Sequence, residues 1–229
     1  MPANTAPPPG TEAAAGPRPS APLQVGDDFK GTLVLMLHSF GGSPKGLESA
    51  KSAVAARWPH AQILVPALPA ATFSRSDPNE IVVRLLKRVD DAIEKSVKNG
   101  TPISRIALVG HSLGALLARK FYVVACGESA EAPSEHAYAD QPRGPDGLVA
   151  ARPWAAQVER IVLLAGMNRG WRISHHLSLW PAPLGRGGAA IGHVMSLFGR
   201  PPLIFSIRRG ADFVTQLRIQ WLMMRRRAG

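Results

Sequence analysis

The chain has 229 residues, 45% of them hydrophobic, one cysteine and a formal net charge of +11. That length supports one sizeable core plus appendages, and a single cysteine excludes an internal disulfide framework. No apolar run reaches the roughly 18 residues that would read as a transmembrane helix.

Residues 1–28 are dominated by Pro, Ala and Gly and contain no apolar h-region, so they read as a disordered leader, not a Sec signal. With no signal or span evident, the expected location is cytoplasmic. Thr32–Leu37 is a near-continuous apolar run, as expected of a strand buried on both faces of a parallel sheet. A glycine-rich turn leads from it to a helix at about Pro44–Arg57, and Gln62–Val65 reads as a second strand. Asp77-Pro78-Asn79-Glu80 carries an N-cap acid, a proline at the first helical position and a glutamate three after the cap. The helix that follows spaces Ile81, Leu85, Val89, Ile93 and Val97 as one stripe for packing on a sheet. Asn99-Gly100 closes it.

Arg105–Val109 reads as the next strand, followed by an Ala- and Leu-rich helix to Cys126, which lies where a buried structural thiol would. Gly127–Gln157 is rich in Pro, Gly and acids and reads as an exposed, mobile insertion. Arg160–Leu164 is a fourth strand. Residues 172–229 lack a clean period at first and end in a helix carrying Phe213, Leu217 and Trp221, which suits a cap. The repeating βα pattern predicts an α/β fold with a mostly parallel sheet and helices on both faces. Thr32–Leu37 should lie beside Arg105–Val109, with Gln62–Val65 and Arg160–Leu164 outside them. Residues 29–171 would form the core and 172–229 the cap-like segment.

Gly110-His111-Ser112-Leu113-Gly114 is the most informative segment. A G-x-S-x-G pattern between strand and helix forces the serine into a strained backbone, and the flanking glycines remove Cβ atoms that would clash there. The turn lifts the hydroxyl above the sheet, at a helix N-terminus that favours negative charge. Ser112 is therefore the candidate nucleophile, with Gly110, His111 and Gly114 supporting the turn. Acyl transfer also needs two N–H groups aimed at the oxyanion. Leu113 follows the nucleophile, and Phe40, in His38-Ser39-Phe40-Gly41-Gly42 after the first strand, is the second candidate donor. His38 and Gly41 support that loop.

These segments resemble the α/β-hydrolase family, in its bacterial lipase and esterase branch. The loop at His38–Gly42 is similar to H-G-x-G-G, with Ser39 in place of a glycine, and the elbow matches G-H-S-x-G. Arg160–Trp171 is similar to the strand and loop that read T-P-x-R-G-S in many bacterial lipases. The resemblance implies a three-layer sandwich and a Ser-His-Asp/Glu hydrolase of carboxylic esters, small or lipid, working through an acyl-enzyme without a cofactor.

In that family an acid and then a histidine follow the serine on later strands. Here the acid beyond Glu159 is Asp212, inside a helical pattern, and the histidines after His111 are His136, His175, His176 and His193. None adjoins a convincing terminal strand, so the chain reads as C-terminally incomplete, with His193 the first candidate base. A catalytically silent binding module is the alternative, because a serine without a base is a weak nucleophile. Strands missing beyond Arg160–Leu164 would leave a sheet edge open to self-association.

Charge is unevenly placed, with residues 160–229 carrying +10 and the first 159 only +1. Solvated arginines and a peripheral contact with anionic membrane both fit this asymmetry. No nucleic-acid-binding signature accompanies it, so nucleic acid is not an expected partner. His175-His176 lacks an H-E-x-x-H context, and no metal site is expected.

Overall fold

The computed structural model describes residues 30–71, 74–171 and 202–228. Four strands, β1 (Thr32–Leu37), β2 (Gln62–Leu64), β3 (Arg105–His111) and β4 (Val158–Leu164), form one parallel sheet in the order β2-β1-β3-β4. This is the arrangement expected from the apolar runs. Every β1 residue is buried, and its alternation divides the molecule. Leu33, Leu35 and Leu37 enter the main core, whereas Val34 and Met36 join Leu47 and Val109 in a smaller one. Helix α1 (Glu48–Arg57), entered through a 3-10 turn at Pro44–Leu47, covers the smaller core with Ala50 and Val54. Helices α2 (Pro78–Lys98) and α3 (Leu113–Ala125) cover the other face. Both faces of the sheet are thus dressed with helix.

Helix α2 starts as its sequence dictates: the Asp77 carboxylate accepts the Asn79 N–H at 2.7 Å, and Pro78 occupies the first turn. Its stripe is only partly as expected. Ile81, Leu85 and Val89 are buried, but Val97 is 61% exposed. The inward position of the last turn goes to Ser96, whose hydroxyl donates to the Ile93 carbonyl and accepts the Ile103 N–H. That bond satisfies the chain returning toward β3 and turns Val97 outward.

Residues 127–157, expected to be exposed, instead contribute to the core. Tyr138, Val149 and Trp154 are buried there. Trp154 stacks on Phe121 with ring centroids 5.4 Å apart, and its Nε1 donates to Asp90 of α2 at 2.7 Å. Arg152 donates to the same carboxylate at 3.2 Å. Aromatic burial and a shared acid thus fix a stretch whose composition suggested a loop.

Of the cap-like segment, the described part holds a short α4 (Leu203–Ser206) and a long α5 (Asp212–Ala228). Helix α5 lies on α3 through Phe213, Val214 and Leu217, the face its periodicity marked. The leader and residues 172–201 lie outside the described residues, and with them His175, His176 and His193. No helix among the described residues is long and apolar enough to cross a membrane, and no His, Cys, Asp and Glu cluster there could hold a metal ion.

Candidate active site

The site begins where β1 and β3 end together. Their register pairs Leu37 with Gly110, so the turn after β1 and the elbow after β3 leave the same sheet edge. Ser112 follows with φ 55° and ψ −112°, a sparsely populated conformation for a residue with a side chain. Its N–H donates to the Leu164 carbonyl of β4 at 2.9 Å, so the strained residue is pinned from the neighbouring strand.

The two motif glycines have separate steric reasons. A Cβ on Gly110 would fall 2.3 Å from the Gly114 carbonyl oxygen and 2.6 Å from Ala115 Cα. A Cβ on Gly114 would fall 2.1 Å from the Leu37 carbonyl oxygen. The first glycine lets the elbow fold onto itself, and the second lets the start of α3 touch the end of β1. Apart from Tyr122, every residue of α3 is buried, so the elbow rests on an immobilised helix.

Phe40 is half-buried against the main core, and Leu113 is fully buried at the first position of α3. A helix leaves its first N–H groups without internal acceptors, and Leu113 is one of them. The loop that carries Phe40 is fixed by Gly41, whose φ is 66° and whose N–H donates to the Ala70 carbonyl at 2.7 Å. His38 is 2% exposed. Its Nδ1 lies 2.9 Å from the Ser39 carbonyl, and its Nε2 accepts the Leu68 N–H at 3.0 Å. Bonded through both ring nitrogens, the imidazole braces the loop. His111 ends β3 opposite Leu164. His136 is exposed in a 3-10 turn at His136–Tyr138, and Asp212 is exposed in the first turn of α5.

Three further features have no counterpart in the motif reading. Ala165, directly after β4, has φ 46°, a second strained residue on the strand that holds the Ser112 N–H. Arg119 on α3 places its guanidinium 4.7 Å from the Trp221 ring of α5, and burial lowers its pKa. Lys120 is completely buried, its Nζ 2.7 and 2.6 Å from the two Glu135 oxygens and 2.5 Å from Gln220 Oε1 of α5. Gln220 returns Nε2 bonds to Glu135 and the Pro133 carbonyl. Burial lowers the Lys120 pKa against the opposing pull of Glu135. In an Ala- and Leu-rich helix a lysine reads as a solvated residue; its partners lie 15 and 100 positions away, beyond any local signal. Cys126 has the structural character its position suggested: it is half-buried, and burial raises its pKa.

A strained serine thus sits between a parallel strand and a buried helix, flanked by two glycines that admit no Cβ. The core is an α/β fold, a parallel four-stranded sheet dressed with helices. Residues 29–138 match the family described as "Putative serine esterase (DUF676)", a match that spans both the Phe40 loop and the Ser112 elbow. A search of curated protein sequences returns no significant match. Among solved structures, the chain is similar to phospholipase PlaB from Legionella pneumophila at 18% identity and a TM-score of 0.44, covering 83% of this chain and 36% of that one. The thio-NAD complex of that phospholipase gives 16% identity and a TM-score of 0.42, covering 83% and 34%. The RedJ thioesterase of prodiginine biosynthesis in Streptomyces coelicolor gives 14% identity and a TM-score of 0.34, covering 93% and 70%. The chain therefore spans about a third of the length of the phospholipase it is similar to.

Proposed function

We propose that the protein is a serine hydrolase of carboxylic esters, with Ser112 as nucleophile. The observation that carries this reading is the backbone of Ser112, held at φ 55° between two glycines that have no room for a Cβ. Strain of this kind costs on the order of 1–3 kcal/mol and persists where the surroundings over-determine it. Here the Leu164 bond and the Leu37 contact do so. The match of residues 29–138 to a serine esterase family supports the same chemistry.

In the proposed reaction the Ser112 Oγ attacks the ester carbonyl and gives its proton to a base. The tetrahedral oxyanion accepts N–H bonds from Leu113 and Phe40. Collapse expels the alcohol, protonated by the same base, and leaves an acyl-Ser112 ester that water then hydrolyses. His193, outside the described residues, is the base proposed from chain order alone. His38 is unsuited to the role because both its ring nitrogens brace the loop.

A fluorophosphonate probe and a short activated ester test the reading on the full chain. Stoichiometric labelling that disappears in Ser112→Ala, together with ester turnover, is the expected result. Folded wild-type protein that neither labels nor turns over ester would favour the catalytically silent module.

A further inference from the structure

Helix α5 has two unlike faces. Its inner face is bound to α3 by Phe213, Val214 and Leu217 and by the buried Lys120–Glu135–Gln220 cluster. Arg227 adds bonds to the carbonyls of Glu128 and Gly127 at 3.2 and 3.4 Å, which fasten the last turns. The helix is therefore held in one orientation, and its outer face is presented as a fixed surface.

On that outer face, helical spacing brings Arg218, Ile219, Leu222, Arg225 and Arg226 together. Ile219 is 38% exposed and Leu222 48%, and the three arginines are exposed. Among the described residues none of these guanidinium groups is bridged to a carboxylate. Residues 202–228 hold six arginines against one acid, Asp212, at the far end of the helix.

We infer that the outer face of α5 is a docking surface for anionic lipid headgroups. Charge complementarity alone would also admit a nucleic-acid backbone, but phosphates would neutralise the arginines and leave Ile219 and Leu222 facing water. A lipid interface takes both kinds of side chain: guanidinium groups at the headgroups, two apolar side chains just below them. The surface is independent of the Ser112 chemistry, so it stands or falls separately from the esterase reading.

The test is co-sedimentation of the full chain with vesicles of phosphatidylcholine alone and of phosphatidylcholine mixed equally with phosphatidylglycerol. Binding is expected to the anionic vesicles and to weaken as salt shortens the Debye length. Arg218→Gln, Arg225→Gln and Arg226→Gln combined should reduce the partition coefficient by about a hundredfold, from roughly fivefold per arginine near an anionic surface. Ile219→Asn with Leu222→Asn, which leaves the charge untouched, should reduce it on the order of tenfold. Circular dichroism and unfolding curves confirm that these exposed positions leave the fold intact. Unaltered binding in the asparagine pair would reduce the effect to adsorption of a +11 protein and overturn the proposal. Equal binding to neutral vesicles, or displacement from anionic vesicles by stoichiometric duplex oligonucleotide, would overturn it too.

Discussion

The carbonyl oxygen of Leu37 occupies the space a side chain on Gly114 would need, 2.1 Å from the position of its Cβ. The obstacle is the backbone of the central strand, which cannot rotate away. Gly114→Ala should therefore cost about 3 kcal/mol or more, at the upper end of overpacking penalties, and push the start of α3 off the sheet edge. Gly110→Ala meets the Gly114 backbone at 2.3 Å and should behave alike. Gly46→Ala is the control, since nothing lies within 4 Å and its φ is not positive; it should stay within about 0.5 kcal/mol of wild type. Urea unfolding of the three variants checks the ranking, and comparable midpoints for all three would contradict it.

Ser112→Gly should raise stability by about 1 kcal/mol while abolishing probe labelling. Glycine adopts a positive φ at little cost, so it releases strain that serine must hold. Ser112→Ala keeps a Cβ at the same backbone angles and should lose labelling without that gain. Thermal melts of the two variants separate strain from chemistry. A glycine variant no more stable than the alanine variant would show that φ 55° carries no strain.

The elements nearest the site were the most legible because their signals are local. β1 and β3 are buried on both faces, so they appear as unbroken apolar runs, and the elbow needs its two glycines within five residues. The end of α2 departs from its apolar stripe because Ser96 is turned inward by a bond to Ile103, a partner seven residues on. Residues 127–157 depart from their Pro- and Gly-rich composition because Trp154 is held by Phe121 and Asp90, both distant in sequence. Lys120 was invisible for the same reason. A catalytic acid and base would depend on tertiary placement, and His193 lies beyond the described residues, so the sequence offers a candidate nucleophile and a candidate oxyanion loop without an acid or base beside them.

Lys120→Met should be costly, and Glu135→Gln should rescue it. Removing the ammonium leaves the Glu135 carboxylate beside Gln220 with its main counter-charge gone. Glu135 retains 22% side-chain exposure, so a loss of about 3 kcal/mol is expected, the low end for a broken buried pair. In the double variant the neutral amide no longer needs a cation, and at least about 1 kcal/mol should return. A double variant as unstable as the sum of the singles would mean that the two groups are uncoupled, against their 2.6 Å contact.

Tyr138→Phe should reverse its effect on stability with pH. At neutral pH the Tyr138 hydroxyl donates to Asn79 Oδ1 at 3.0 Å, and losing that buried bond costs about 1 kcal/mol. Burial first, then the nearby Glu135 and Asp77 charges, raise the Tyr138 pKa well above its ordinary value of 10.0. The folded chain therefore keeps the phenol proton in a range where the unfolded chain has released it. Its contribution is complete below pH 10 and is lost as pH rises above that, by about 1.4 kcal/mol per unit until the folded phenol ionises as well. The neutral-pH advantage of about 1 kcal/mol should thus vanish between roughly pH 10.5 and 11, with the phenylalanine variant the more stable beyond it. Denaturant unfolding of both proteins from pH 8 upward, at about half-unit steps, measures the crossing. Parallel curves across that range would mean that Tyr138 ionises in the folded protein as readily as in the unfolded chain.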